Sequence, residues 1–321
     1  MYQEFSYTDR AYRKLEFLCI TKFDDKYPDN RNSFEAYSIM EKELSYIKNQ
    51  GSAPLILCAY EAITVLEAKS EMFCLRGQIC GSVVFHVLGL TEIEPTSVSP
   101  KVYPEFSFGI DGKRKFSIDM FVTNNLYKKL VRYFENYNGE ERLRHHHKLD
   151  GELFGVRISD PQISIGIYDK REFHFDFIKI KSFKTLKKNI MTGEVFEIIK
   201  PQTTEDQVKC MSFNCWKELW KDNSEDYFNR NMAPFSDLIA SIEDIYEFLM
   251  DHGIDKTTAY KFADDISFWG IHSHGWNPEI LDLLNKAQIP KWYLESCEKI
   301  ICLGSRVHYT NLLNHFRMHK C

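Results

Sequence analysis

The sequence predicts an α+β fold, with a mixed α/β region over about residues 1–200 and a helical region over 201–321. Two observations lead to this prediction. Residues alternate between apolar and polar in KRKFSIDMFV and EFHFDFIKI, which is typical of strands, and both segments precede residue 200. Beyond about residue 235, apolar residues recur at helical spacing between start and stop signals. A chain of 321 residues with 44% apolar content can bury the core of one large domain or two ordinary ones.

The first well-marked element is a helix over residues 35–50. Asn32 and Glu35 form a capping-box pattern at its start, and Gly51 follows its end. Further along, the segment CLRGQICGSVVFHVLGL predicts a turn of small residues that leads into an apolar helix.

In FSIDMFV, the alternation places Ile118 and Met120 on the apolar face of a strand, and Ser117 and Asp119 on the other face. A helix from Leu126 is predicted to follow this strand. The alternation in EFHFDFIKI similarly places Asp176 on the polar face of a second strand.

Helix signals dominate the C-terminal region. Ser241 is placed to cap a helix that ends at Gly253, and Asp255 is placed to cap the next one. Pro278 suits the first turn of a further helix.

The nine cysteines include no Cys-x-x-Cys pair, so no zinc is expected and buried, reduced thiols are the preferred interpretation. The run of His145, His146 and His147 has two interpretations. It is either a site for a stray cation or a solvated basic loop, which the neighbouring Arg144 and Lys148 favour.

The formal net charge of −5 does not indicate a nucleic-acid-binding protein as a whole, so any such signal is local. One stretch carries five lysines and no acidic residue, which predicts either a surface that follows a phosphate backbone or a solvated face. These lysines are Lys179, Lys181, Lys184, Lys187 and Lys188.

No stretch approaches the roughly 18 consecutive apolar residues of a membrane span. The N-terminal MYQEFSYTDR lacks the apolar run of a signal peptide. We therefore expect a cytoplasmic globular protein without a membrane partner.

Three segments in order resemble the polymerase core of the bacterial DNA polymerase III alpha subunit of the Gram-positive type. The first is MEKELSYIKNQG with RGQICGSVVFHVLGLTEIEP, and the second is FSIDMFV. The third is IYEFLMDHGIDKTTAYKFADDI with IPKWYLESCEKIICLGSRVH, which is similar to the fingers of that family. The resemblance implies a polymerase-beta-like nucleotidyltransferase palm with a mixed sheet over residues 1–200 and a helical fingers-like domain over 201–321.

In this family three aspartates hold two magnesium ions, because converging carboxylates are needed to offset two divalent charges. Residue by residue, the resemblance assigns the second aspartate to Asp119 and the third to Asp176, while the first position holds Ser117. A serine brings no negative charge, so the resemblance implies impaired catalysis. Asp111 is an alternative source of the missing carboxylate.

The resemblance also implies nucleotide-phosphate binding at the turn formed by Arg76, Gly77, Gly81 and Ser82, although a plain tight turn explains the glycines equally well. It places Arg306 and His308 beside an incoming nucleotide. The thumb insertion between Asp119 and Asp176 is short.

Three functions follow as hypotheses. The preferred one is a catalytically impaired polymerase-like module that retains binding of primed template DNA, a nucleotide or a replication protein. The alternatives are an active magnesium-dependent nucleotidyltransferase and a protein-binding decoy of a host replicative polymerase.

Overall fold

The computed structural model describes residues 7–28, 33–138, 153–158, 182–267 and 270–320, with only the backbone described for 7, 134–138, 153–158 and 270. The Cα positions form two compact units, one of residues 1–187 with 311–321 and the other of residues 188–310. The predicted domains 1–200 and 201–321 divide the chain at other points and stay a prediction.

The first unit combines helices with a small sheet. Its elements are α1 (Tyr7–Lys26), α2 (Ser33–Gln50), α3 (Ala53–Val65), β1 (Phe73–Arg76), α4 (Val83–Val87), α5 (Glu105–Phe108), β2 (Ile118–Thr123), α6 (Asn124–Asn138) and β3 (Leu153–Ile158).

Helix α7 (Phe183–Met191) follows, and the division between the units falls within it. The second unit is helical over its described residues. Its further elements are α8 (Glu194–Ile199), α9 (Thr204–Cys215), α10 (Lys217–Leu219), α11 (Glu225–Asn229), α12 (Ile242–Asp251), α13 (Lys256–Ile266), α14 (Gly270–His274), α15 (Pro278–Lys286), α16 (Lys291–Glu298) and the start of α17 (Arg306–Met318).

The three described strands form one sheet in the order β1-β2-β3, and both pairings are antiparallel. The mixed sheet that the resemblance implies is therefore not what these strands form. Ile118, Met120 and Val122 are buried, as the alternation predicts. Phe121, which alternates with these residues and so falls on the same face as Asp119, is buried too, and the Arg76 guanidinium lies over its ring at 4.3 Å from Cζ to the centroid.

The core of the first unit forms where the helices present apolar faces. Helix α2 buries Met40, Leu44 and Ile47, which recur at i, i+4 and i+7. Helix α3 buries nine of its thirteen residues, since its sequence APLILCAYEAITV is apolar on every side. The predicted helix over 35–50 is confirmed, and Gly51 follows it with φ of +66°.

The helix caps predicted for the second unit are confirmed. Ser241 accepts a hydrogen bond from the Asp244 N–H, and the Asp244 side chain returns to the Ser241 N–H, which completes a capping box. Asp255 caps α13, and Pro278 occupies the first turn of α15 behind an Asn277 cap.

Six of the eight described cysteines are buried, as predicted, while Cys215 is exposed and Cys302 is half-buried. Among the described residues, the helices lack the combination of length and apolar character that crossing a bilayer requires.

Candidate functional site

Asp119 lies on β2, the middle strand of the sheet, and is half-buried. Ser117 precedes the strand, and its hydroxyl donates a hydrogen bond to Asp119 Oδ1 at 3.0 Å. The strand register pairs Asp119 with Arg76 on β1 and with Arg157 on β3. The backbone register therefore places Asp119 between two arginines.

Over the described residues, the neighbours of FSIDMFV in the sheet are β1 and β3, and its place relative to EFHFDFIKI stays a prediction. Strand β2 has β1 on one edge and β3 on the other over the residues around Asp119, so both of its edges are already occupied there. The segment EFHFDFIKI, with Asp176, lies outside the described residues. Asp111, the alternative carboxylate, is exposed and accepts a hydrogen bond from the Lys113 N–H at 3.1 Å.

The turn between β1 and α4 has the geometry of an anion-binding helix start. Gly77 has a φ of +80°, which favours glycine, and it leads into a 3-10 turn at Gln78–Gly81. Ser82 then caps α4, and its Oγ accepts a hydrogen bond from the Phe85 N–H.

The anion at this helix start is supplied by the protein itself. The Glu43 carboxylate from α2 accepts the Val84 N–H at 2.9 Å and the Val83 N–H at 3.2 Å, and the Ser82 hydroxyl donates to it at 2.7 Å. Ser82 is completely buried, and Glu43 is 3% exposed. A phosphate at Gly81 and Ser82 would have to displace this carboxylate, so phosphate binding there stays a prediction.

Burial controls the protonation of Glu43. Loss of solvent raises the pKa of its carboxyl from 4.5 to about 7, although the hydrogen bonds from Val84, Ser82 and Val83 act in the opposite direction. Glu43 therefore changes charge near neutral pH, at the contact between α2 and α4.

Arg76 lies at the other end of the turn. Its Nε is buried and has no hydrogen-bond partner among the described residues, while its Cζ lies over the Phe121 ring. A buried guanidinium N–H without an acceptor is costly, and an anion at this edge of the sheet would relieve that cost.

Arg306 and His308, the predicted nucleotide contacts of the fingers-like region, lie at the start of α17. The Arg306 guanidinium donates to Glu247 Oε1 at 2.8 Å and to Asp244 Oδ1 at 3.0 Å. The backbone N–H of Arg306 donates to Glu243 Oε2 at 2.7 Å. A phosphate contact from Arg306 stays a prediction that requires these ion pairs to break.

Three of the five predicted DNA-binding lysines lie on α7. Its buried face consists of Phe183, Leu186 and Ile190, which recur at i, i+3 and i+7. Lys184, Lys187 and Lys188 lie on the remaining surface at i, i+3 and i+4, and Lys184 and Lys188 are exposed. The two other lysines, Lys179 and Lys181, lie outside the described residues.

Sequence reasoning missed Glu43, although a signal for it exists. Position 43 falls on the apolar face of α2, beside Met40, Leu44 and Ile47. An acidic residue on the buried face of an amphipathic helix requires a hydrogen-bonded partner, which here is the start of α4.

Comparisons with known proteins agree with the resemblance over part of the chain. The family model described as the bacterial DNA polymerase III alpha NTPase domain matches residues 13–149. Curated relatives include the PolC-type DNA polymerase III of Thermotoga petrophila, which is 24% identical over 154 residues. The enzymes of the same name from Listeria monocytogenes and Staphylococcus aureus are 23% and 24% identical over 157 residues.

These matches cover 48% or 49% of this chain and 10% of each relative. The matched residues 13–149 contain the Arg76–Ser82 turn, Ser117 and Asp119, and they end before Asp176 and Arg306. Over this part of its length, the chain is distantly similar to the NTPase and palm region of PolC-type DNA polymerase III alpha subunits.

Proposed function

We propose that this protein is a palm-and-fingers-like module, related to PolC-type DNA polymerase III, that binds primed template DNA and does not polymerise it. The proposal rests on the position that the resemblance assigns to the first catalytic aspartate. There an uncharged residue, Ser117, donates a hydrogen bond to Asp119. Asp119 is also paired in the strand register with two arginines.

The described donors do not fit the pair of magnesium ions that the resemblance implies. Two divalent ions in one site require several converging carboxylates. Strand β2 provides one carboxylate, Asp119, and the residue before the strand is the neutral Ser117. The strand register also pairs Asp119 with two arginines rather than with further carboxylates. Nucleotidyl transfer is therefore not the activity that these residues support best.

Binding of DNA needs only scattered cationic groups, so it survives the loss of the metal site. Helix α7 presents Lys184 and Lys188 to solvent, with Lys187 beside them, and it is fixed to the protein by its buried apolar face. Lysines on one helix face can follow successive phosphates, and each neutralised phosphate releases counterions.

We expect that changing Lys184, Lys187 and Lys188 together to Gln lowers affinity for a primed template at least about tenfold at low salt. The same change reduces the slope of log affinity against log salt by about 2 to 3, since each phosphate contact contributes roughly 0.9. Fluorescence anisotropy across a salt series measures both quantities.

The matched control changes Lys261, Lys286 and Lys291 to Gln, because all three are exposed and the change in net charge is the same. An equal loss of affinity in this control would show that binding depends on net charge alone and not on the lysines of α7. Absence of binding by the wild type at low salt overturns the DNA-binding proposal and leaves a protein-binding decoy as the better function.

We further expect the purified protein to show no template-dependent primer extension with Mg²⁺ or Mn²⁺. Changing Ser117 to Asp is expected to restore none, because that change supplies one carboxylate while the short insertion between Asp119 and Asp176 remains. Gel analysis of labelled primers, beside an active polymerase as positive control, measures this.

Extension by the wild type that disappears on changing Asp119 to Ala would contradict the proposed loss of catalysis. That result supports the alternative of an active magnesium-dependent nucleotidyltransferase. Extension that persists in the Asp119→Ala protein indicates a contaminating polymerase instead.

A further inference from the structure

A polar stripe runs along the face of α17 that packs within the first unit. It consists of Asn311 and His315, four residues apart on the helix, and of His319, which follows the end of the helix and whose backbone N–H donates to the His315 carbonyl at 3.1 Å. Asn311 donates to the Leu75 carbonyl at 2.9 Å, and its Oδ1 accepts from the Thr91 hydroxyl at 3.1 Å. The first residue of the stripe is thus fully engaged.

The two histidines of the stripe converge on Glu92, the residue after Thr91. His319 Nε2 lies 2.7 Å from Glu92 Oε1, and His315 Nδ1 lies 3.9 Å from the same oxygen. One donor atom from each of the three side chains lies within 4.8 Å of the other two. The imidazole rings of His315 and His319 are 4.6 Å apart at their centroids.

Hydrogen bonding does not account for His315. The residue is completely buried, and neither of its ring nitrogens has a hydrogen-bond partner among the described residues. Glu92 Oε2 is also buried without a partner there. Unpartnered polar atoms of this kind are costly to bury, so three of them on two neighbouring side chains require an explanation.

We propose that His315, His319 and Glu92 form a binding site for one Zn²⁺ ion. Zinc binds imidazole nitrogen at about 2.0–2.1 Å and carboxylate oxygen at about 2.0–2.2 Å, with tetrahedral geometry. Such bonds place the donor atoms roughly 3.3–3.5 Å apart. The separations of 2.7 and 3.9 Å bracket this value, so small side-chain rotations suffice.

The environment suits a neutral imidazole ligand. Burial lowers the pKa of His315 to about 4, and the Phe183 ring packs against it at 4.3 Å between centroids. A ligand set of two histidines and one carboxylate leaves one coordination position for water. The ion joins α17 to the loop that carries Thr91 and Glu92, so it stabilises the first unit.

The test uses the full chain in which His145, His146 and His147 are changed to Gln, because that run is a second source of zinc ligands. After chelator treatment, titration calorimetry with ZnCl₂ is expected to give one site per chain. Zinc is expected to raise Tm by about 5 °C.

In this background, the Glu92→Gln and His319→Gln proteins are expected to bind zinc at least about tenfold more weakly and to lose the rise in Tm. His274→Gln is the matched control, since this histidine is exposed at the end of another helix, and it is expected to change neither quantity. The His319 side chain is 15% exposed, so His319 is expected to tolerate substitution even where a change at fully buried His315 prevents folding.

Two results overturn the proposal. One is absence of zinc binding by the background protein, which shows that the His145–His147 run accounts for any binding by the original chain. The other is equal affinity in the Glu92→Gln, His319→Gln and background proteins, which assigns zinc to other groups such as the exposed Cys215.

Discussion

Changing Arg306 to Met is expected to lower the free energy of unfolding by about 3 kcal/mol or more, because it leaves a buried acidic cluster without its main counter-charge. The Arg306 side chain is 10% exposed, and its guanidinium is paired with Asp244 and Glu247. Asp244 retains Lys209 at 3.3 Å after the change, whereas Glu247 loses the bidentate contact. Urea denaturation followed by circular dichroism measures the loss.

Arg230→Met is the matched control for this prediction. Arg230 also pairs with an aspartate, Asp226, at 3.0 Å, but both side chains are more than half exposed. An exposed pair contributes little to stability, so the control is expected to unfold almost as the wild type does. Equal losses in the two variants would show that the cluster around Arg306 is not held by its ion pairs.

Changing Glu43 to Ala is expected to destabilise the first unit by about 3 kcal/mol or more. The change leaves the Ser82 hydroxyl and the Val83 and Val84 N–H groups buried without their acceptor, and each such group costs about 1–3 kcal/mol. Glu41→Ala on the same helix is the control, because Glu41 is exposed. Thermal and urea unfolding of both proteins measure the difference.

The raised pKa of Glu43 adds a pH dependence with a defined sign. Its pKa is about 7 in the folded protein against an ordinary value of 4.5, so the folded state binds the proton more tightly. The tighter proton binding of folded Glu43 therefore adds to the free energy of unfolding. This contribution is complete below about pH 4.5 and is lost as the pH rises to about 7. The Glu43→Gln protein has no carboxyl at this position, so its free energy of unfolding is expected to fall less between pH 4.5 and 7 than that of the wild type. An identical fall in the two proteins would contradict the raised pKa of Glu43.

Elements with local signals could be predicted from the sequence. The helix over 35–50, the caps at Ser241 and Asp255 and the apolar face of β2 each follow from residues a few positions apart. Strands β1 and β3 had no such signal. Strand β1 has four residues, which is too short for an alternating pattern to be recognised, and β3 contains a glycine within LFGVRI.

The candidate site depends on residues that are distant in sequence, and this limits what the sequence alone predicts. The resemblance identified Ser117 and Asp119, which are hydrogen-bonded to each other. Their pairing with Arg76 and Arg157 follows from the strand register, which a single sequence does not specify. The contact of Glu43 with Ser82 joins positions 39 residues apart.

The first unit is discontinuous along the chain, and this has a consequence for biosynthesis. A ribosome releases Leu75 and Thr91 long before Asn311, which hydrogen-bonds to the Leu75 carbonyl and to the Thr91 hydroxyl in the folded unit. The sequence of the second unit, 188–310, emerges completely in between. The first unit therefore completes its folding last, and a nascent chain that stalls before residue 311 still lacks Leu312 and Phe316, which are buried in the folded protein.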